Sequence, residues 1–308
     1  MKILMFGRGV IATVYGWALE RAGHDIGFYV RPGRASAFGE AVDLDLLDAR
    51  KRPWGQRVVE SWPVRYREEL TPGHDYDLIV LSVPHHRLPE AAGFLAPRVG
   101  NATVLVFGNI WAEPLTAIGA LPADRVAWGF PFAGGGFGED GVLRGTLLPS
   151  VVFGTLDGPP TERERTTRRV FHEAGLRLRE KRDFRAWLWR HFAMNVGLHA
   201  QGLRRGTLAD LPGATAAFRE ALLITRELRP VLAARGVDVR RGFRAPTWLT
   251  APAFAWSSAH VPLVRRSFDG HADPAAEEPR AVCRDALAEA QRLGVAVPRL
   301  EASFAGAA

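Results

Sequence analysis

Residues 2–31 read KILMFGRGVIATVYGWALERAGHDIGFYVR, and the order of signals within them decides the fold. Residues 2–6, "KILMF", are a short apolar run of strand length, with glycine immediately after. Gly7, Gly9 and Ala12 then follow in G-x-G-x-x-A spacing. Residues 12–23, "ATVYGWALERAG", read as a helix with a glycine stop. Residues 24–31, "HDIGFYVR", form a second strand signal. Strand, glycine turn, helix, strand is a βαβ unit, whose crossover sets its two strands parallel.

Working outward, the same alternation continues. Residues 76–83, "YDLIVLSV", follow an Asp-rich turn, and 102–109, "ATVLVFGN", form another apolar strand. Two further strand signals, "RVAWGFPFA" at 125–133 and "LPSVVFGT" at 148–155, flank "GGGFGEDG". That pair is open to an antiparallel arrangement, and "GGGFG" at 134–138 reads as a flexible hairpin tip or a ligand-embracing loop. Residues 161–175 carry a threonine start and a glycine stop for a helix, and "LRLREK" at 176–181 is a last strand. The expectation is an α/β doubly wound sheet over residues 1–181, with ligands at its carboxyl edge. Beyond it the strand signals fade. Helical patterns at 185–203, 216–236, 251–266 and 279–294 make 182–308 a second, mostly α-helical domain, and the tail 301–308 reads as frayed.

Composition narrows the function. The 308 residues suffice for two cores. Cys283 is the only cysteine, which excludes a disulfide framework and a cysteine-based zinc site and fits a reducing, cytoplasmic setting. No signal-peptide pattern opens the chain, and no apolar run reaches the ~18 residues of a membrane span. The net charge of +7 comes almost wholly from arginines scattered along the chain. No tract interleaves basic and aromatic residues, so nucleic acid is disfavoured as a partner and an anionic small molecule is favoured. His85 and His86 are adjacent on a strand-like segment with no cysteine or close carboxylate, so no metal site is expected. Apolar helices in the second half make a homodimer conceivable.

The loop after the first strand is the strongest chemical signal. Gly7 permits the tight turn, Gly9 lets a pyrophosphate approach the backbone, and Ala12 keeps helix and strand close. Arg8, Val10 and Ile11 complete the loop, where the free N–H groups of a helix N-terminus face anions. The bulky Arg8 reaches a phosphate or points to solvent. A carboxylate at the end of the second strand would suit a ribose 2′-OH, but Arg31 stands there with Arg34 just beyond. That pair suits a 2′-phosphate, so the cofactor expected is NADPH rather than NADH.

The opening segment resembles the ketopantoate reductase family (2-dehydropantoate 2-reductase, the PanE/ApbA type). "WLWRHFAMN", "SSAHVPLVRRSFDG" and "AEAQRLGVAVP" resemble that family's helical domain in the same order. The resemblance implies a Rossmann domain, a helical domain, a substrate cleft between them, and NADPH-driven reduction of a 2-keto acid. Gly7, Gly9 and Ala12 match the family's phosphate loop, and Arg31 matches its 2′-phosphate reader. Pro84 replaces a cofactor-binding lysine, with His85 or Arg87 as candidates to compensate. Asn109 matches an asparagine near the nicotinamide and substrate, with Gly108 the match if no gap is allowed. His191 replaces the lysine that serves as general acid. Asn195 matches a family asparagine and His199 replaces the next. A glutamate that holds the substrate hydroxyl falls at Asp269, assuming a one-residue insertion after the serine motif at Ser257 or Ser258.

His191, Asn195 and His199 are spaced i, i+4, i+8, on one helix face. Histidine is a competent acid near neutrality, with an unperturbed pKa of ~6.5. Its shorter reach, and that of Asp269, open the site and favour a substrate bulkier than ketopantoate. Each of these positions also has a plain structural use. The histidines can be bonded to neighbouring groups, Asn195 can span elements, and Ser257 and Ser258 can back-bond within a helix. The expected function is an NADPH-dependent reductase acting on a keto or imine carbon of a specialised small to medium substrate. A redox-neutral lyase, isomerase or cyclase on the same fold, or a non-catalytic NADPH-binding protein, stays open.

Overall fold

The computed structural model describes residues 1–240 and 246–306. The chain divides into two compact units, Met1–Phe184 and Arg185–Ala308. In the first, the opening βαβ runs β1 (Lys2–Phe6), α1 (Val10–Glu20) and β2 (Asp25–Tyr29), followed by α2 (Ala35–Phe38). Next come β3 (Ala41–Asp48), β4 (Gln56–Pro63), β5 (Tyr66–Arg67), β6 (Leu78–Leu81) and α3 (Leu88–Leu95). β7 (Thr103–Phe107), α4 (Pro114–Ala117), β8 (Val126–Phe130), β9 (Ala133–Phe137), β10 (Leu143–Leu147), β11 (Ser150–Gly154), α5 (Glu162–Glu173) and β12 (Arg177–Lys181) complete the unit.

The main sheet has the order β12-β11-β8-β7-β6-β1-β2-β5. From β5 to β8 every neighbour is parallel, and the order reverses direction at β1, as in a Rossmann-type doubly wound sheet. β11 runs antiparallel to β8, as the pair of apolar runs allowed. β1, β6 and β7 are buried on both faces, which is why they read as unbroken apolar runs. α1 lies close on this sheet: a Cβ on Gly16 would sit 3.0 Å from the Phe28 ring and 3.3 Å from Met5. The close approach that motivates Ala12 therefore extends one turn further, to Gly16.

A second sheet, ordered β4-β3-β10-β9, covers the same helix. Val42, Leu44, Leu46, Leu143 and Leu147 join Val14, Leu19 and Phe28 in one buried core. The glycine run is therefore no hairpin tip. Residues 133–137 are strand β9, paired antiparallel with β10. Gly135 has φ +136°, and a Cβ there would run into the Arg144 carbonyl oxygen, so its small size serves backbone packing. α5 begins with a complete capping box: the Thr161 hydroxyl accepts from Glu164 N–H, and the Glu164 carboxylate accepts from Thr161 N–H.

The second unit is helical, apart from its connections: α6 (Phe184–Arg205), α7 (Thr215–Glu227), α8 (Arg229–Ala234), α9 (Thr247–His260), α10 (Pro262–Asp269), α11 (Glu277–Arg292) and α12 (Pro298–Ala305). Two expected helices are each broken in two, before Pro230 and Pro262, because proline cannot donate the i→i−4 bond. The tail is not frayed through residue 305. Leu300 is fully buried, and buried Ser303 accepts from the Gln201 amide at 3.3 Å; residues 307–308 lie outside the described residues. Gly197 marks where α6 meets α7, since a Cβ there would strike the Ala221 carbonyl oxygen. Among the described residues no helix is long and apolar enough to cross a membrane.

Candidate dinucleotide and substrate site

Because β1, β2, β5, β6 and β7 are parallel, the segments that follow them emerge at one edge of the sheet. After β1, Gly7 takes φ +93° and donates its N–H to the Tyr29 carbonyl at 2.9 Å, tying the loop to the end of β2. Gly9 is extended (φ −73°, ψ 167°), a conformation any residue adopts. A Cβ built on Gly7 or Gly9 meets no atom within 4 Å. Nothing in the protein thus requires a bare backbone at Gly9; an approaching ligand would. Gly9 also caps α1 without a side-chain bond, and the first turn carries no acid. The N–H groups of Val10, Ile11 and Ala12 precede the first possible intrahelical donor, Thr13, which bonds Gly9. Bare backbone, unsatisfied donors and a positive helix end together fit a pyrophosphate.

Arg8 packs against aromatic rings rather than extending into solvent. Its guanidinium lies between the rings of Phe38 (4.8 Å) and Phe137 (4.5 Å), with Nε buried and unbonded. This cation–π packing keeps a positive charge beside the loop. The same charge tends to lower the neighbouring Tyr66 hydroxyl pKa, but burial dominates and raises it.

After β2, Arg34 N–H donates to the Arg31 carbonyl at 3.1 Å, closing a turn around Pro32 and Gly33, whose φ is +78°. That is the proline–glycine order of a type II turn. Arg31 and Arg34 are exposed, and among the described residues neither forms an ion pair with a carboxylate. Glu68, just past β5, accepts from Ala35 N–H at 2.7 Å. The Ala35 amide first, and then those of Gly33 and Arg34, hold its carboxyl below the usual carboxylate range.

After β6, Pro84 is exposed and opens a short 3-10 turn, His85–Arg87. Arg87 pairs with Glu90 at 3.0 Å, while His85 is buried with its ring edge-on to His86. Among the described residues no three His, Cys, Asp or Glu side chains cluster as metal ligands. After β7, Gly108 and Asn109 are half-buried, and the Asn109 Oδ1 is buried without a hydrogen-bond partner. An orphaned acceptor at this edge is a group that a ligand would complete.

The helical unit distributes its candidates over α6, α9 and α10. His191 and Asn195 are half-buried, and the His191 ring stacks on Trp187 (5.2 Å, 19°). Burial pushes the His191 pKa down to about 4. His199 is buried and lines a cavity with Thr207, His271, Asp273 and Glu278; His191 and Asn195 do not line it. Along α6 an i+8 offset overshoots two turns of 3.6 residues, so His199 is rotated away from His191 about the helix axis by twice the angle of Asn195. Ser257 and Ser258 both back-bond, to the carbonyls of Phe254 and Ala255 at 3.1 and 2.9 Å. Buried Ser258 also accepts from Gly213 N–H at 3.4 Å. Asp269 pairs with Arg265 at 2.6 Å on the surface of α10.

Three contributors went unread in the sequence: Glu68, the ring pair Phe38 and Phe137 around Arg8, and Trp187 as the neighbour of His191. Only Trp187 had a signal there, its i−4 spacing on the same helix.

A sequence profile described as "Ketopantoate reductase PanE/ApbA" matches residues 3–158. No curated protein sequence matches the chain. The fold resembles a 2-dehydropantoate 2-reductase from Geobacter metallireducens GS-15 (TM-score 0.69, 19% identity), over 100% of this chain and 99% of that one. A PanE/ApbA family ketopantoate reductase from Ralstonia eutropha JMP134 gives a TM-score of 0.70 at 18% identity, over 100% and 97%. D-mandelate dehydrogenase with NADH and anilino(oxo)acetate gives 0.72 at 15% identity, again over 100% and 97%. At these identities the likeness speaks for the fold. The matched profile spans half of the chain, from β1 through β11, and includes the open glycine loop and Asn109: the chain belongs to the ketopantoate reductase PanE/ApbA family.

Proposed function

We propose that this protein is a nicotinamide-dependent reductase that acts on a keto, or imine, carbon of a small to medium substrate other than ketopantoate. The observation that carries the reading is the open backbone cradle at Gly7 and Gly9, on the same sheet edge as the orphaned Asn109 oxygen. Residues 1–181 would hold the dinucleotide and 182–308 would serve the substrate. Gly7 to Ala12 would take the pyrophosphate. Arg31 and Arg34, exposed and without a paired carboxylate, favour a 2′-phosphate and hence NADPH.

When bound, the nicotinamide supplies the hydride. The Asn109 amide oxygen is available to accept a hydrogen bond from cofactor or substrate. His191 stands where the family has its acid. With its pKa held near 4 by burial, the ring is neutral in the free protein at neutral pH. A substrate carboxylate beside the ring favours its protonated form, so substrate binding itself creates the acid that protonates the developing alkoxide. Asn195, one turn on, supplies an amide to orient the substrate. For Asp269 to hold a substrate hydroxyl it must exchange its Arg265 contact, which is exposed and weak.

A thermal-shift titration tests the reading. NADPH should raise the melting temperature by mass action, and NADH less so. No shift with either removes the reductase reading. Turnover on a panel of 2-keto acids should then fall by roughly 10²–10⁴ in His191→Ala if the ring is the acid. An unchanged rate would take His191 out of the mechanism.

A further inference from the structure

We propose that Glu68 limits this protein's preference for a 2′-phosphate, setting its selectivity between the two nicotinamide dinucleotides. The inference rests on the reading of the sheet edge as a nicotinamide site. β5 extends the main sheet beyond β2, with Tyr66 and Arg67 level with Phe28 and Tyr29. Val30 N–H donates to the Arg67 carbonyl at 2.9 Å, so Glu68 leaves β5 where the chain leaves β2 for Arg31. Its carboxylate accepts from Ala35 N–H at 2.7 Å, and the Gly33 and Arg34 amides also act on it. The turn that carries Arg31 and Arg34 therefore holds a carboxylate of its own. The two guanidiniums remain without an ion pair among the described residues, so Glu68 does not neutralise them by contact.

Two opposed chemistries meet at this turn. Guanidiniums attract a 2′-phosphate dianion and gain little from a ribose hydroxyl. A carboxylate repels the dianion and accepts a hydrogen bond from the hydroxyl. Glu68 also occupies the Ala35 N–H, which is then closed to an incoming anion. The arginines set the sign of the preference, and Glu68 restrains its size. A purely structural Glu68, which only pins the turn through Ala35, would affect both dinucleotides alike.

The test is direct binding of NADPH and NADH, by fluorescence or calorimetry, to the full chain and two variants. Glu68→Gln keeps an acceptor for Ala35 N–H and removes the charge. It should raise the NADPH-over-NADH affinity ratio by about tenfold. In Arg31→Ala the carboxylate remains, and the preference should invert to NADH. An equal change for both dinucleotides in Glu68→Gln overturns the proposal, as does an Arg31→Ala protein that still prefers NADPH or is indifferent. Glu69→Gln is the control for diffuse charge, since Glu69 is the next residue and no turn amide reaches it. A shift in Glu69→Gln equal to that in Glu68→Gln also overturns the local role. If the unmodified protein binds neither dinucleotide, the site reading falls and takes this inference with it. Wild-type binding with an unmoved ratio removes only the role of Glu68.

Discussion

A lysine at the position of His191 would carry its charge on a flexible stem into solvent or substrate; the imidazole instead stacks on Trp187 and loses its proton easily. Free and substrate-loaded enzyme should therefore titrate differently. As pH rises from about 4, kcat/KM should fall, because it reports the free protein, whose ring already deprotonates there. The break in kcat should lie higher, because the substrate carboxylate restores the proton. Coincident breaks in the two profiles would remove the substrate from that role. Stability has a matching window. The unfolded ring titrates at its ordinary 6.5 and the folded ring near 4, so the unfolded state binds more protons between these values. The ring's favourable contribution is full above pH 6.5 and is lost as pH falls toward 4. Thermal melts across that range should fall less steeply in His191→Phe. Gly7, Gly9 and Arg31 were legible because backbone geometry and charge at one strand end depend on a few adjacent residues. Glu68 was not, because only the docking of β5 beside β2 brings it to the Arg31 turn.

Elements buried on both faces announce themselves, and those with one open face do so faintly. β6 and β7 were readable from "LIVL" and "TVLVF" alone. β3 and β4 went unread, although Val42, Leu44 and Leu46 alternate with Asp43 and Asp45 as a half-buried strand requires. β9 was misread because glycine is a poor strand former, and only the close approach of β10 explains its use. Gly135→Ala should destabilise the first unit by roughly 2 kcal/mol or more, given a positive φ and a backbone collision. An unchanged melting temperature would mean that the second sheet yields at that point. At α5 the capping box makes a milder prediction: Thr161→Ala should cost about 1 kcal/mol in chemical denaturation, and Thr161→Ser almost nothing. The α6 candidates were legible as a periodic row, but periodicity does not say which member is buried: His199 is buried, while His191 and Asn195 are half-buried.

Across the whole molecule, an excess of arginine and lysine over acid gives a net charge of +7. This positive field attracts small anions. A 2′-phosphate adds charge to the cofactor, so NADPH affinity should weaken more steeply with added salt than NADH affinity. Parallel salt dependences in calorimetry would mean that Arg31 and Arg34 do not meet the 2′ position. Within the first unit a buried core surrounds α1 and its two sheets; within the second, a buried cluster includes Leu211, Phe218 and Ala255. Cys283 belongs to the second unit alone, fully buried on α11 with its Sγ 3.9 Å from the Val196 carbonyl oxygen of α6. Burial pushes its thiol pKa up to about 12, so in the closed unit it is both hidden and protonated. As the chain's one thiol, it can be alkylated only when α6 and α11 part. The protein thus carries its own clock: the rate of alkylation counts openings of the helical unit, without any introduced probe.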